Sequence, residues 1–166
     1  MVDVRSRFWL RTALWQVWTE YFADVAPVND VHIAYVRPSK TRLGWIALSE
    51  EGDSTLIGIN RLLSHPDVPD EVCTITIAHE LVHYCHGFGS PLPRRFADPH
   101  AGDVVDRELR LRGLGEALQR SQRWAQSSWP QLYAEHAAAR PRFRRHRPDG
   151  DANRPLTSPQ MAALDV

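Results

Sequence analysis

Residues 69–87 read PDEVCTITIAHELVHYCHG, and this stretch decides what kind of molecule the chain is. Val72, Ile75, Ala78, Val82 and Cys85 recur at helical spacing, which predicts one buried helix over 69–86. Asp67 is placed to cap it, Pro69 suits its first turn, and Gly87 is placed to end it. His79 and His83 are four apart. At about 100° per residue they differ by roughly 400°, so both imidazoles leave one face a turn apart and can share a metal. Glu80 precedes His83 by three and sits beside that metal rather than on it. His79-Glu80-Leu81-Val82-His83 is therefore an HExxH pattern, in which a general base stands next to a two-histidine zinc site.

A catalytic zinc takes three protein ligands and keeps one position open. Three residues compete for the third place. His86 lies on the same face but at the helix end, where a cap favoured by the helix dipole is the simpler role. Glu108 could serve from a following helix. His100 is the strongest candidate. It follows a proline-punctuated loop, 88–99, and opens the helical pattern AGDVVDRELRLRG, a rigid mount from which to reach back. The spacing with Gly at 86 and His at 89 that a metzincin needs is missing. Asp98, Asp103 and Asp106 flank His100; any of them could orient a ligating imidazole, while Asp103 could equally cap the next helix. Tyr84 and Arg107 are weaker candidates for stabilising an oxyanion.

The order of segments RFWLRTALWQVWTEYF, VHIAYVR, LGWIALS, STLIGINRLLSHP, HELVH and a later His resembles the SprT-like (Spartan-type) zinc metallopeptidases through most of residues 8–118. The resemblance implies an α+β, zincin-like fold, zinc as cofactor and Glu80 as general base. It also implies proteins bound to DNA as a frequent substrate class. After the loop that family continues His-Gly-x-x-Phe. This chain has His100-Ala101-Gly102-Asp103-Val104, so the Gly and the Phe are both altered.

Composition fits a small globular enzyme: 166 residues, 43% apolar and 24% charged, with a formal net charge of zero. A neutral chain has no overall field to draw in nucleic acid. Cys73 and Cys85 share one helix, about 18 Å apart along its axis, too far to bridge. They read as small buried hydrophobes. The apolar N-terminal stretch carries Arg7, Arg11 and Glu20 and cannot span a bilayer, and no signal-peptide pattern precedes it, so a cytoplasmic location is expected.

Residues 6–24 should form an aromatic helix with Leu14, Trp15, Trp18, Tyr21 and Phe22 inward. Strands are expected at 31–37, 43–49 and 55–60, giving a small antiparallel or mixed sheet packed on helices, with Glu51-Gly52-Asp53 as a turn. Either 43–49 or 55–60 could pair with an extended peptide beside the site. Helices are expected at 101–112 and 116–127, with a further one from Pro130. Residues 1–139 are read as the peptidase domain and 140–166 as a disordered Arg/Pro-rich tail. Arg140, Arg142, Phe143, Arg144, Arg145 and Arg147 could hold phosphates with Phe143 stacking on a base, which makes DNA a candidate partner.

The reading is a zinc metallopeptidase acting on protein or peptide substrates, with His79, His83 and His100 as ligands and Glu80 as catalytic base. The opposing reading is a non-catalytic, zinc-stabilised nucleic-acid-binding module. In it His86 would join the other three and close the metal's shell.

Overall fold

The computed structural model describes residues 5–139; residues 1–4 and 140–166, including the whole arginine-rich tail, lie outside the described part. The order of elements is α1 (Arg7–Tyr21), β1 (Asp30–Val36), β2 (Gly44–Leu48), β3 (Ser54–Asn60), a 3-10 turn (Arg61–Ser64), α2 (Asp70–Cys85), α3 (Val104–Leu111), α4 (Gly115–Ser127) and α5 (Trp129–Ala139). The architecture is α+β, with five helices on a three-stranded mixed sheet. No helix among the described residues is long and apolar enough to cross a membrane.

The sheet has the order β1-β3-β2. β3 is central, parallel to β1 with Ile33 opposite Ile57, and antiparallel to β2 with Ile46 opposite Ile57. Two strands in parallel need a crossover, and here β2 and the turn around Gly52 form that connection. Strand alternation sends Thr55, Ile57 and Ile59 into the core. Leu56, on the opposite face, is partly exposed.

Helix α2 runs through the middle of the molecule. Most of its residues are buried, including Val72, Cys73, Ile77, Ala78, Leu81, Val82 and Tyr84. It touches α1, α3, α4 and the strands β2 and β3. A helix apolar nearly all round has to be covered on every side, which is why three of the other helices and the sheet gather about it, with α5 packed on α4.

Helix α1 buries Leu10, Ala13, Leu14, Val17 and Trp18. Trp15 departs from the expectation: it is 48% exposed, because the inward stripe already passes through Leu14 and Trp18. Ser6 caps α1 by accepting from the Trp9 N–H. Asp67 does not cap α2, which starts at Asp70 with no side-chain cap; Asp70 and Glu71 supply negative charge to its first turn instead. At its other end Gly87 stands at φ +78 and halts the helix as expected. Both cysteines are buried and free.

Candidate metal centre

His79 and His83 project from one face of α2, with their Nε2 atoms 3.1 Å apart. Two nitrogens bound tetrahedrally at the usual zinc distance of about 2.0–2.1 Å would stand roughly 3.3 Å apart, so this spacing suits a shared ion. His100 completes the group: its ring centroid lies 5.6 Å from that of His79 and 4.7 Å from that of His83. One ligand atom from each of the three residues falls within 4.8 Å of the others. Among the described residues this is the one cluster of three or more His, Cys, Asp or Glu side chains able to hold a metal.

The mount of His100 differs from the expected one. It stands on a turn before α3, not at a helix start. Asp98 holds that turn: its carboxylate accepts from the His100 N–H at 2.7 Å, and its carbonyl accepts from the Ala101 N–H. α3 starts only at Val104, and Asp103 gives its first turn no side-chain cap. Of the three flanking acids, Asp106 is the one whose charge reaches His79.

The rival third ligands lie elsewhere. His86 is buried against Phe96, with Nε2 3.9 Å from Glu108 Oε2. Glu108 Oε1 accepts from Arg112 Nε at 2.9 Å. Neither side chain belongs to the three-histidine cluster, so a closed four-histidine shell does not form. Tyr84 is also withdrawn from the site. It is fully buried, its hydroxyl donates to Asn29 Oδ1 at 2.8 Å, and it accepts from the Val28 N–H. Arg107 is exposed on α3 and does not line the cleft.

Glu80 is only 4% exposed. Burial alone pushes its carboxyl up to about 8, because a charged carboxylate has lost its water and gained no compensating donor. Burial likewise pulls His79 down to about 4 and His83 down to about 3, and the neighbouring imidazoles add to the effect. Both rings are therefore neutral at pH 7, the form that offers a lone pair to a metal. The Nδ1 of His83 is buried with no hydrogen-bond partner among the described residues.

These side chains line a cleft of about 330 Å³ together with Gly44, Trp45 and Ile46 of β2 and with Arg42, Phe88, Gly89 and Pro99. Gly44 is a site residue that sequence reasoning missed. A Cβ there would stand 2.8 Å from Glu80 Oε1 and 2.9 Å from Thr76 Cγ2. Only glycine lets the strand lie this close to the carboxyl. The segment leading into it is pinned twice: Asn60 Nδ2 donates to the carbonyls of Ser39 and Arg42, and Trp129 Nε1 donates to that of Lys40. Of the two strands considered for pairing with a peptide, β3 has partners on both sides, while β2 is at the sheet edge.

The chain matches no family model and no curated protein. Among solved structures it is similar to the crystal structure of the metallopeptidase zymogen of Methanocaldococcus jannaschii jannalysin. The identity is 14% and the TM-score 0.41, over 68% of this chain and 89% of that one. A likeness this loose assigns no activity. The resemblance to SprT-like enzymes rests on the residues that carry it.

Proposed function

We propose that this chain is a zinc metallopeptidase in which His79, His83 and His100 hold the metal and Glu80 moves the protons. The observation that carries the reading is a juxtaposition: three imidazole nitrogens converge within 4.8 Å, and a buried carboxyl one residue along the same helix stands beside them. Three neutral imidazoles are a donor set that suits zinc and leaves a coordination position for chemistry. When bound, zinc supplies Lewis acidity toward the scissile carbonyl and toward a water beside it.

The remaining work falls to the chain. The carboxylate of Glu80 takes a proton from the attacking water and returns it to the departing amine. Glu80 is buried beside the three imidazoles, and a carboxyl so placed is positioned for both transfers. The free edge of β2 offers backbone donors and acceptors to an extended peptide, laying its scissile bond across the mouth of the cleft. Gly44 keeps strand and base close enough to act on the same bond.

A finer assignment, to the SprT-like family with DNA-associated proteins as substrates, is supported by the order of sequence segments and by the HELVH helix. The arginines of 140–147 would supply the DNA contact.

The test pairs metal content with cleavage. Wild type and Glu80→Gln should each carry about one zinc by elemental analysis. Only wild type should cleave casein, assayed with and without single-stranded DNA, and the variant's rate should be lower by roughly 10²–10⁴. A zinc-loaded wild type that cleaves nothing, or an active Glu80→Gln, overturns the reading.

A further inference from the structure

The sheet has two faces, and the described helices build the core against one of them. Ile33, Ile46 and Ile57 lie on that inner face. Strand alternation sends Ala34 and Val36 of β1, Trp45 and Ala47 of β2, and Leu56 of β3 to the other face. None of these five belongs to the core or packs against it. Leu56 is 37% exposed and Ala47 is exposed. A Cβ at Gly58 would collide with the Trp45 indole, so the ring lies against bare backbone and stands as a ridge on this face. Contiguous apolar surface of this kind marks a place where something docks.

The two ends of the face carry opposite charge. Arg37, Lys40 and Arg42 stand where β1 finishes and β2 begins; Asp30, Glu50 and Glu51 stand at the other end. All six are exposed, and none takes part in an ion pair among the described residues. Arg61 and Asp53 add to the same two signs, although Asp53 already accepts from the Ser49 hydroxyl at 2.7 Å. A nucleic acid or an anionic membrane would be repelled at the acidic end, and a uniformly charged peptide would match only one end. The pattern suits a partner polarised the opposite way along the strands. A second copy of this chain, turned end for end, is polarised in that way.

We propose that two copies stack through this face about a two-fold axis running across the strands. An axis along the strands would set each basic end on its like; an axis across them exchanges the ends. With the axis between the levels of Leu56 and Gly58, the strand register fixes the rest. Leu56 comes opposite Gly58 of the other copy and meets its Trp45 indole, and Ala47 comes opposite Trp45, so large groups meet small ones. Asp30 comes level with Val36 and next to Arg37, and Glu50 comes level with Arg42. His32, exposed on the edge strand β1, comes opposite Ala34 and keeps one side in water. Sheets packed face to face in this manner stand about 10 Å apart, and such a contact is self-complementary.

The size of the face sets the strength. Its longest strands have seven residues. At about 3.3 Å per residue and about 4.8 Å between strands, the apolar strip covers roughly 300 Å². Stable interfaces bury about 800 Å² on each side, so the charged ends must take part, and the dimer should be of micromolar strength and weakened by salt. Gly44 and Glu80 lie on the inner side of the sheet, so both metal centres stay clear of the contact. The proposal stands apart from the peptidase reading.

Sedimentation velocity on the full chain tests it, with concentrations up to roughly 200 µM to exceed the expected dissociation constant. Wild type should pass from one-chain to two-chain mass as concentration rises, and return to one-chain mass in about 1 M salt. Leu56→Asp should stay a monomer. Arg37→Asp and Asp30→Arg should each weaken self-association by more than about tenfold, because each sets like charges against each other. Mixed in equal amounts, these two variants should associate again, since both contacts in the mixed pair then join opposite charges. All three substituted positions are exposed, so the far-UV circular dichroism of wild type should persist. A wild type that is monomeric throughout overturns the proposal. So does a dimer that survives Leu56→Asp or either charge reversal, and so does a mixture that remains monomeric.

Discussion

Helix α2 and its C-terminal cap place histidines in two side-chain clusters about one turn apart, and the two treat charge in opposite ways. Around His79 and His83 no salt bridge forms among the described residues: imidazoles gather with imidazole, and the buried Glu80 meets no cation there. At the end of the helix, His86 meets Glu108 at 3.9 Å, Glu108 accepts from Arg112 at 2.9 Å, and Arg112 grips Asp24 and the Tyr21 carbonyl at 2.7 Å each. Arg112 also lies 4.3 Å over the Phe22 ring. The second cluster sets the Arg112 guanidinium between two carboxylates, Glu108 and Asp24, and ties α3 to the end of α1. The first leaves like groups together at an energetic cost, which an arriving cation would relieve. Strain of this kind marks sites kept for function, whereas matched charge marks a joint in the fold.

The sharpest way to break this contrast is to exchange losses between the clusters. His79→Ala or His83→Ala should take zinc from about one per chain to none, and His100→Ala should weaken it more than about 10²-fold, beyond what loss of a supporting group costs. His86→Ala and Glu108→Ala should keep the metal. Chelator competition on the five variants reads this directly. If His86→Ala loses zinc as His100→Ala does, the two clusters are one site.

Next in size is Gly44→Ala. The added methyl meets Glu80 Oε1 at 2.8 Å, and either strand or carboxyl must move. Zinc content should hold while kcat falls by roughly 10²-fold, the penalty for a base displaced by about an ångström. Unaltered peptide cleavage in Gly44→Ala would show that the close approach of β2 is dispensable.

Much of this layout could be read from the chain, for identifiable reasons. The HELVH face and the Gly87 stop are local, and periodicity with a single φ-permissive residue defines them; α2 spans 70–85 where 69–86 was expected. The strands fall within a residue or so of their alternating patterns. A metal's need for a third donor points to His100, which does stand beside His79 and His83, but its mount differs from the expected one: the pattern after it is helical, and the Asp98 turn defers the helix to Val104. What stayed hidden is non-local. Nothing near Gly44 announces that residue 80 will pack against it. The Tyr84–Asn29 bond spans 55 positions and the Trp129–Lys40 bond spans 89. Such pairs depend on how layers stack, which periodicity within one segment does not report.

A more modest effect tests the structural cluster. Glu108→Ala leaves Arg112 Nε, in a side chain only 11% exposed, without its acceptor. That should lower unfolding free energy by about 1–3 kcal/mol, the cost of stranding a partly buried charged donor, measured by denaturant titration. Glu108→Gln, which retains an acceptor, should lose less. Equal losses in the two would mean that packing, not the hydrogen bond to Arg112, holds this corner.

The smallest expected effect is the pH dependence of the Asp24–Arg112 pair. Asp24 is held below the ordinary carboxylate range, chiefly by its hydrogen bond from Arg112. A carboxyl depressed in the folded state binds fewer protons there than in the unfolded chain. Its contribution is therefore present above the unfolded value and is lost as pH falls through the folded one. Because 65% of the Asp24 side chain faces solvent, water and salt screen the pair, and the contribution should stay well under about 1 kcal/mol. Asp24→Asn should accordingly be slightly less stable than wild type at pH 6, and the gap should close toward pH 3 in thermal unfolding. It should also shrink at pH 6 when salt is raised. A gap that widened on acidification would mean that the Arg112 corner is held by something other than its carboxylates, and the contrast between a matched and an unmatched histidine cluster would lose its second half.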